Sequence, residues 1–135
     1  MFEVHARPVP QGSLTPTLIA GRPGVRYLKA DELYEWRSAV ARACPLDDPQ
    51  RGPFHVGVTF RLRRPMAHRR STGEILPRFA DARPLVYPDL DKLVRGVLDA
   101  LTGRVWVDDS QVVEIRASKV YADELGADVE VWSLA

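Results

Sequence analysis

The sequence predicts one small α+β domain over residues 1–135, with a mixed β-sheet and two main helices. Of the 135 residues, 45% are hydrophobic and 27% are charged, as expected for a single globular domain with a modest core. Segments with a period of two alternate with two segments of helical period, in the order β-α-β-loop-α-β-β. This order favours an α+β architecture built on one sheet.

The first half of the chain contains a predicted strand, a loop, a helix and a second strand. Residues 1–7 alternate between apolar and polar side chains and predict a strand. Residues 11–29 are rich in Gly, Pro and Thr and predict a loop. Residues 31–44 carry an apolar stripe at helical spacing and predict a helix that ends before Pro45. Residues 54–62 alternate without a break, which predicts a strand with one buried and one solvent-facing side.

The second half contains the second helix and the remaining strands. Residues 89–102 have an apolar helical face, and Gly103 follows where a left-handed residue often ends a helix. Residues 104–107 predict a short strand, residues 111–121 a longer one, and residues 129–132 the last. The apolar side of the longer strand consists of Val113, Ile115 and Ala117.

Composition excludes several protein classes. Cys44 is the single cysteine, so an intrachain disulfide is impossible, and no Cys/His spacing indicates zinc. The N-terminal segment lacks the apolar core of a signal peptide, and no apolar run approaches the roughly 18 residues of a membrane span. We therefore expect a cytoplasmic protein with no membrane partner.

Positive charge is concentrated in the segment 63–87, although the net charge is only +1. From Arg61 to Arg83 there are seven arginines against two acids. A loop of this length in a small domain is usually functional or disordered. Cationic side chains supply most nonspecific DNA affinity, so one interpretation is a clamp on the phosphate backbone, and the alternative is a solvated loop. The side chains that we assign to DNA binding are Arg63, Arg64, Arg69, Arg70 and Lys92.

Five aspartates lie among apolar residues between positions 86 and 116: Asp89, Asp91, Asp99, Asp108 and Asp109. Separately, each has a structural explanation: a helix N-cap, the first helical turn, or a turn between strands. If the strand at 104–107 returns Asp108 and Asp109 to the start of the second helix, carboxylates about 5 Å apart repel by roughly 3 kcal/mol per pair. A divalent cation would remove that penalty.

Oxygen ligands without a nearby Cys or His favour Mg²⁺, with Mn²⁺ as an alternative, over zinc. Such a site suits phosphodiester hydrolysis, because the metal activates water and neutralises developing charge. Arg95 follows Asp91 by four residues, so it forms either a helical ion pair with Asp91 or a contact with the scissile phosphate. For Asp99 we expect a structural ion pair or hydrogen bond.

The run PDLDKLVRGVLDALTG followed by VDDSQVVEI resembles the RusA family of Holliday junction resolvases. The family pattern reads roughly P-D-x-D-N-L-x-K-x-x-x-D-A-L-x-G, then D-D-x-Q-V. Weaker likenesses at RPVPQG and KVYADELGADVEV extend the resemblance over nearly the whole chain. It implies a homodimeric endodeoxyribonuclease, often carried by phages, that resolves four-way junctions in DNA recombination and repair by Mg²⁺-dependent paired cuts.

The resemblance also implies roles for individual residues. The family's catalytic and metal-binding acids fall on Asp89, Asp91 and Asp109, with Asp108 as a neighbouring acid outside the direct ligands. Arg95 stands where the family has its catalytic lysine, and Lys92 where it has an asparagine. Arginine keeps the charge but cannot donate a proton near neutral pH. If the family lysine only stabilises charge, Arg95 serves; if it exchanges a proton, activity falls.

Three functions remain open from the sequence. The leading one is a Mg²⁺-dependent, structure-selective endonuclease acting on branched DNA in a bacterial or phage-infected cell. The second is a branched-DNA-binding module of the same fold with weak or lost catalysis, which the change at Arg95 keeps open. The third is a small-molecule phosphohydrolase, which the lack of a glycine-rich phosphate loop disfavours.

Overall fold

A computed structural model describes residues 1–12, 14–19, 22–27 and 30–135. The strands and helices, in chain order, are β1 (Phe2–Val4), β2 (Leu14–Ile19), β3 (Arg22–Tyr27), α1 (Ala30–Ala43), β4 (Phe54–Arg63), α2 (Leu90–Leu101), β5 (Val112–Ala122) and β6 (Gly126–Ser133). Both predicted helices and the predicted strand β4 lie within two residues of their expected bounds. Within the described residues, no helix has both the length and the apolar character needed to cross a bilayer.

Four of the strands form one mixed sheet in the order β1-β6-β4-β5. β4 and β5 are parallel, whereas β6 is antiparallel to both β4 and β1. The helices α1 and α2 pack against each other and against one face of this sheet. The predicted α+β class, with a mixed sheet and two helices, is confirmed.

The core lies between the sheet and the two helices. Trp36 of α1 packs against Phe60 of β4, with ring centroids 6.4 Å apart, and Phe54 packs against Trp106 at 5.7 Å. Burying each of these large side chains contributes about 2–3 kcal/mol. Other fully or almost fully buried side chains are Val4, Leu33, Val40, Val56, Leu93, Val97, Leu101 and Val129. The apolar stripes predicted for both helices therefore face this core.

The prediction of a loop at residues 11–29 is wrong. Leu14–Ile19 and Arg22–Tyr27 pair as two antiparallel strands, separate from the main sheet. The prolines and glycine of this segment indicated a loop, but each strand of a two-stranded sheet has an unpaired edge. Proline is tolerated on such edges because it has no N–H to donate there.

One prediction about the later strands also needs correction. Residues 104–107 form turns, with only isolated bridges from Trp106 to Gln50 and Thr102, and no strand. The strand predicted at 111–121 is present as β5, and on its apolar side Ala117 packs against the core, whereas Val113 is 64% exposed and Ile115 is 47% exposed. Alternation identified the apolar side correctly, but β5 is an edge strand in the described structure and little packs on this part of it.

The solvent-facing side predicted for β4 is partly covered. His55 is buried, and Trp132 of β6 stacks on its ring with centroids 3.9 Å apart. The His55 ring also lies 3.0 Å from a carboxylate oxygen of Glu114. Gly57 is buried because the side chain of Glu130 lies across it. Long side chains on neighbouring strands, rather than another layer of structure, shield this face.

The arginine-rich segment 63–87 begins at the last residue of β4 and continues as a loop. It contains two single 3₁₀ turns, at Met66–His68 and Pro77–Phe79. His68 stacks on Phe79 with ring centroids 4.1 Å apart, and the Arg64 guanidinium donates to the Phe79 carbonyl at 2.8 Å. His68 also contacts the ring of Tyr121 edge-on, which packs the loop against the end of β5. These contacts do not decide between the two interpretations of this loop, a phosphate clamp and a solvated loop.

Candidate active site

Two of the predicted acids lie at the N-terminal end of α2. Asp89 occupies the N-cap position, but its carboxylate makes no capping hydrogen bond. The nearest cation is Lys92, whose Nζ lies 3.8 Å from Asp89 Oδ2. Asp91 is exposed in the first helical turn and forms no ion pair with any described residue. Both carboxylates are therefore available to a ligand at the positive end of the helix dipole.

A lysine that the sequence analysis missed anchors this end of α2. Lys119 Nζ donates to the carbonyl oxygens of Val86 at 2.7 Å and Pro88 at 2.9 Å. Pro88 directly precedes Asp89, so the ammonium group ties the start of α2 to β5. Lys119 lies in register with Phe60 on the helix-covered face of the sheet. The signal that could have identified it is a charged residue on the apolar side of a predicted strand, two positions after Ala117.

The other predicted acids lie in a turn before β5. The Asp108 carboxylate accepts the backbone N–H of Ser110 at 2.9 Å, and Gln111 Oε1 accepts the Asp108 N–H at 3.0 Å. Hydrogen bonds from the backbone and then the side chain of Ser110 hold the pKa of Asp108 below its ordinary value. Asp108 therefore caps this turn, and the next residue, Asp109, is exposed.

Gln111 fixes the position of the whole turn. Its side-chain Nε2 donates to the carbonyl oxygens of Gln50 at 2.9 Å and Gly52 at 3.0 Å. The same side chain accepts the N–H of Val107 at 2.9 Å through its oxygen. The turn that carries Asp109 is thus joined to the connection between α1 and β4.

Within one chain, Asp109 lies far from Asp89 and Asp91. The turn follows the C-terminal end of α2, and β5 then runs back until Lys119 reaches Pro88. From Val112 to Lys119 the strand covers about 23 Å at 3.3 Å per residue. The described residues contain no group of three or more His, Cys, Asp or Glu side chains placed to hold a metal ion. The expected convergence of the acids therefore does not occur inside a single chain.

The other polar residues of α2 make few contacts. Arg95 is exposed, and the described structure contains no ion pair between it and Asp91. The structural alternative for Arg95 is thus absent, which leaves its guanidinium available. Asp99 is half-buried, and the ion pair or hydrogen bond expected for it is not seen among the described side chains.

The predicted DNA-binding arginines fall into two groups. Arg64 lies with its guanidinium 5.4 Å from the centre of the Tyr121 ring, and Arg69 donates to Asp123 at 2.6 Å, so both hold the loop together. Arg70 forms only a long, exposed contact of 3.9 Å with Glu74. Arg63 is exposed and has no ion pair with any residue whose side chain is described. Arg63 and Arg70 thus present charge to solvent.

Comparison with known proteins identifies the family. Residues 9–132 match the sequence model of the family described as endodeoxyribonuclease RusA. The uncharacterized protein YqaN of Bacillus subtilis (strain 168) is 31% identical over 134 residues, covering 96% of this chain and 93% of YqaN. The family match includes the N-terminal end of α2 and the turn before β5. The chain belongs to the RusA endodeoxyribonuclease family.

Proposed function

We propose that the protein is a Mg²⁺-dependent endonuclease that cuts four-way DNA junctions as a homodimer. The observation that carries this proposal is the pair of exposed carboxylates, Asp89 and Asp91, at the N-terminal end of α2. Among the described residues, neither makes a capping hydrogen bond or a close ion pair that would explain it structurally. Family membership indicates endodeoxyribonuclease activity, and carboxylates with open solvent access are the ligands that Mg²⁺ takes in such enzymes.

A second copy of the chain would complete the acid site. β5 pairs with β4 alone, so its other edge is unpaired in the described structure. If β5 pairs antiparallel with β5 of a second copy, the two strands run in opposite directions across the interface. The Asp109 end of each strand then lies beside the Lys119 end of the other. Each of the two equivalent sites would then combine Asp89 and Asp91 of one chain with Asp109 of the partner subunit.

The exposed side chains of β5 support this pairing. Val113 and Ile115 are large apolar residues, 64% and 47% exposed, on an unpaired edge. Monomeric proteins generally protect such edges with charge, proline or a covering element, because unpaired N–H and C=O groups invite association. A dimer would cover them and also place two sites about a twofold axis. Two sites related in this way match the paired cuts that a four-way junction requires.

Each residue near the site has a distinct task in this proposal. A divalent cation bound by the three carboxylates would activate water and neutralise the charge developing on the phosphate. Arg95 binds the phosphate group through its uncommitted guanidinium. Lys119 holds the backbone that leads into Asp89, and Lys92 lies 3.8 Å from the Asp89 carboxylate. Arg70, on the exposed side of its loop, contacts the DNA backbone.

The test is cleavage of a synthetic four-way junction by wild type and Asp91→Asn, each with Mg²⁺ and with EDTA, alongside a binding assay. We expect paired cuts from wild type that need Mg²⁺, and binding without cutting from Asp91→Asn. If wild type binds the junction but cuts nothing with Mg²⁺ or Mn²⁺, the proposal is wrong. The protein would then be a branched-DNA-binding module, and Arg95→Lys would test whether the lost lysine is the cause.

A further inference from the structure

A pocket of about 450 Å³ opens beside the start of α2. It lies where the parallel strands β4 and β5 end, between Arg63, Tyr121 and the segment that leads to Pro88. In open α/β sheets, ligands bind at the carboxyl ends of parallel strands, and helix N-termini favour phosphate groups. The pocket combines both features.

The charged side chains of the pocket favour an anion. Arg7 and Arg63 line it, and neither guanidinium forms an ion pair or hydrogen bond with any side chain in the described residues. Glu32 is the one acid among the residues that line the pocket. Two arginines that face one cavity and have no partner among the described side chains provide the forked donors that match phosphate oxygens.

The remaining walls favour a flat, apolar group. Tyr121 is half-buried, and its ring makes an edge-to-face contact with the ring of His68. Tyr87 lies at the rim and is 61% exposed. Prolines, including Pro88, supply most of the other lining. The volume lies within the range of sites for one small ligand and is too small for stacked base pairs. Aromatic rings beside cationic side chains are the usual platform for an unstacked nucleotide.

We propose that this pocket receives one unstacked nucleotide from the branch point of the DNA, with its phosphate between Arg7 and Arg63 and its base against Tyr87. This inference rests on the proposed function and specifies how the chain recognises a branch. Removing a base from the stack costs least where pairing is already interrupted. A pocket for such a base therefore selects branched DNA over an intact duplex, which contacts to the phosphate backbone alone cannot do.

The test is photocrosslinking in EDTA, where no cutting occurs, with 5-iododeoxyuridine placed at the branch point of a four-way junction. Mass spectrometry is expected to map the cross-link to Tyr87. The yield should fall about tenfold in Arg63→Ala and in Arg7→Ala, as expected for loss of one charged phosphate contact. Arg42→Ala, which removes the same charge outside the pocket, should keep the wild-type yield.

Two results would overturn the inference while leaving the nuclease proposal standing. One is a cross-link that maps outside the pocket, or one that forms equally when the label lies within a duplex arm. The other is a yield that Arg7→Ala and Arg63→Ala leave unchanged. Failure of wild type to bind the junction would overturn both proposals, and a protein that binds and cross-links without cutting would overturn only the nuclease proposal.

Discussion

At the scale of single residues, hydrogen bonds separate the acids that hold the fold from those available to a ligand. Asp108 accepts the Ser110 N–H and caps the turn before β5, whereas Asp89 occupies an N-cap position without capping. The sequence predicted a helix N-cap at Asp89 and a turn at Asp108, because both follow from the pattern of the residues around them. It could not predict which carboxylate accepts a capping hydrogen bond, since that depends on the backbone angles of each turn.

Asp108 acts through the turn that carries Asp109, and two substitutions distinguish this role from metal binding. Asp108→Asn should keep most junction-cutting activity, because asparagine is an equally good cap. Asp108→Ala should cut more slowly, because the Ser110 N–H loses its acceptor and Asp109 loses its fixed position. Cleavage rates beside an Asp109→Asn reference measure the effect. An Asp108→Asn protein as inactive as Asp109→Asn would show instead that Asp108 contacts the metal.

Lys119 is expected to position Asp89. Lys119→Met removes two hydrogen bonds from a charged donor, so cutting should slow by about tenfold or more while junction binding is retained. The Mg²⁺ concentration that gives half-maximal rate should also rise, and Lys119→Arg should restore part of the rate. This positioning role would be contradicted if the Mg²⁺ requirement were unchanged and a lower unfolding temperature explained the whole loss of rate.

At the scale of elements, periodicity predicted where regular strands and helices lie in the sequence. It did not predict which elements pack beside them. α1, β4 and α2 match their predictions closely because their apolar spacing is regular over ten residues or more. The strands β2 and β3 were missed because their segment is rich in proline and glycine, which are typical of loops. The exposed apolar side of β5 was unforeseen because burial depends on strand order, and nothing in the local sequence places β5 at an edge.

The edge of β5 gives a prediction about assembly. Ile115→Lys places a charge on the proposed pairing edge, where lysine commonly prevents association of strands. Because Ile115 is 47% exposed in one chain, the monomer should stay folded while the dimer and the cutting activity are lost. Leu46→Lys is the matched control, since Leu46 is 48% exposed and lies outside β5. Light scattering measures the molar mass, and a dimer that survives Ile115→Lys would place the interface elsewhere.

At the scale of the whole molecule, the arrangement of α2 and β5 explains why one chain does not form a complete acid site. Asp89 and Asp91 lie at one end of α2, and Asp109 lies beyond the other end. The sequence motif placed all three acids within twenty-one residues, but the intervening helix separates them in space. A strand that pairs with its own copy reverses direction and brings the two ends together.

The most direct test of this account mixes two inactive variants, Asp91→Asn and Asp109→Asn, and measures nicking of a four-way junction in Mg²⁺. If each site takes Asp109 from the partner subunit, a mixed dimer has one site with both substitutions and one intact site. Each variant alone should bind without cutting, and the mixture should recover single nicks, with about half of the dimers being mixed if exchange is random. If wild type cuts but the mixture remains inactive after subunit exchange, the acids act within one chain and the proposed dimer site is wrong.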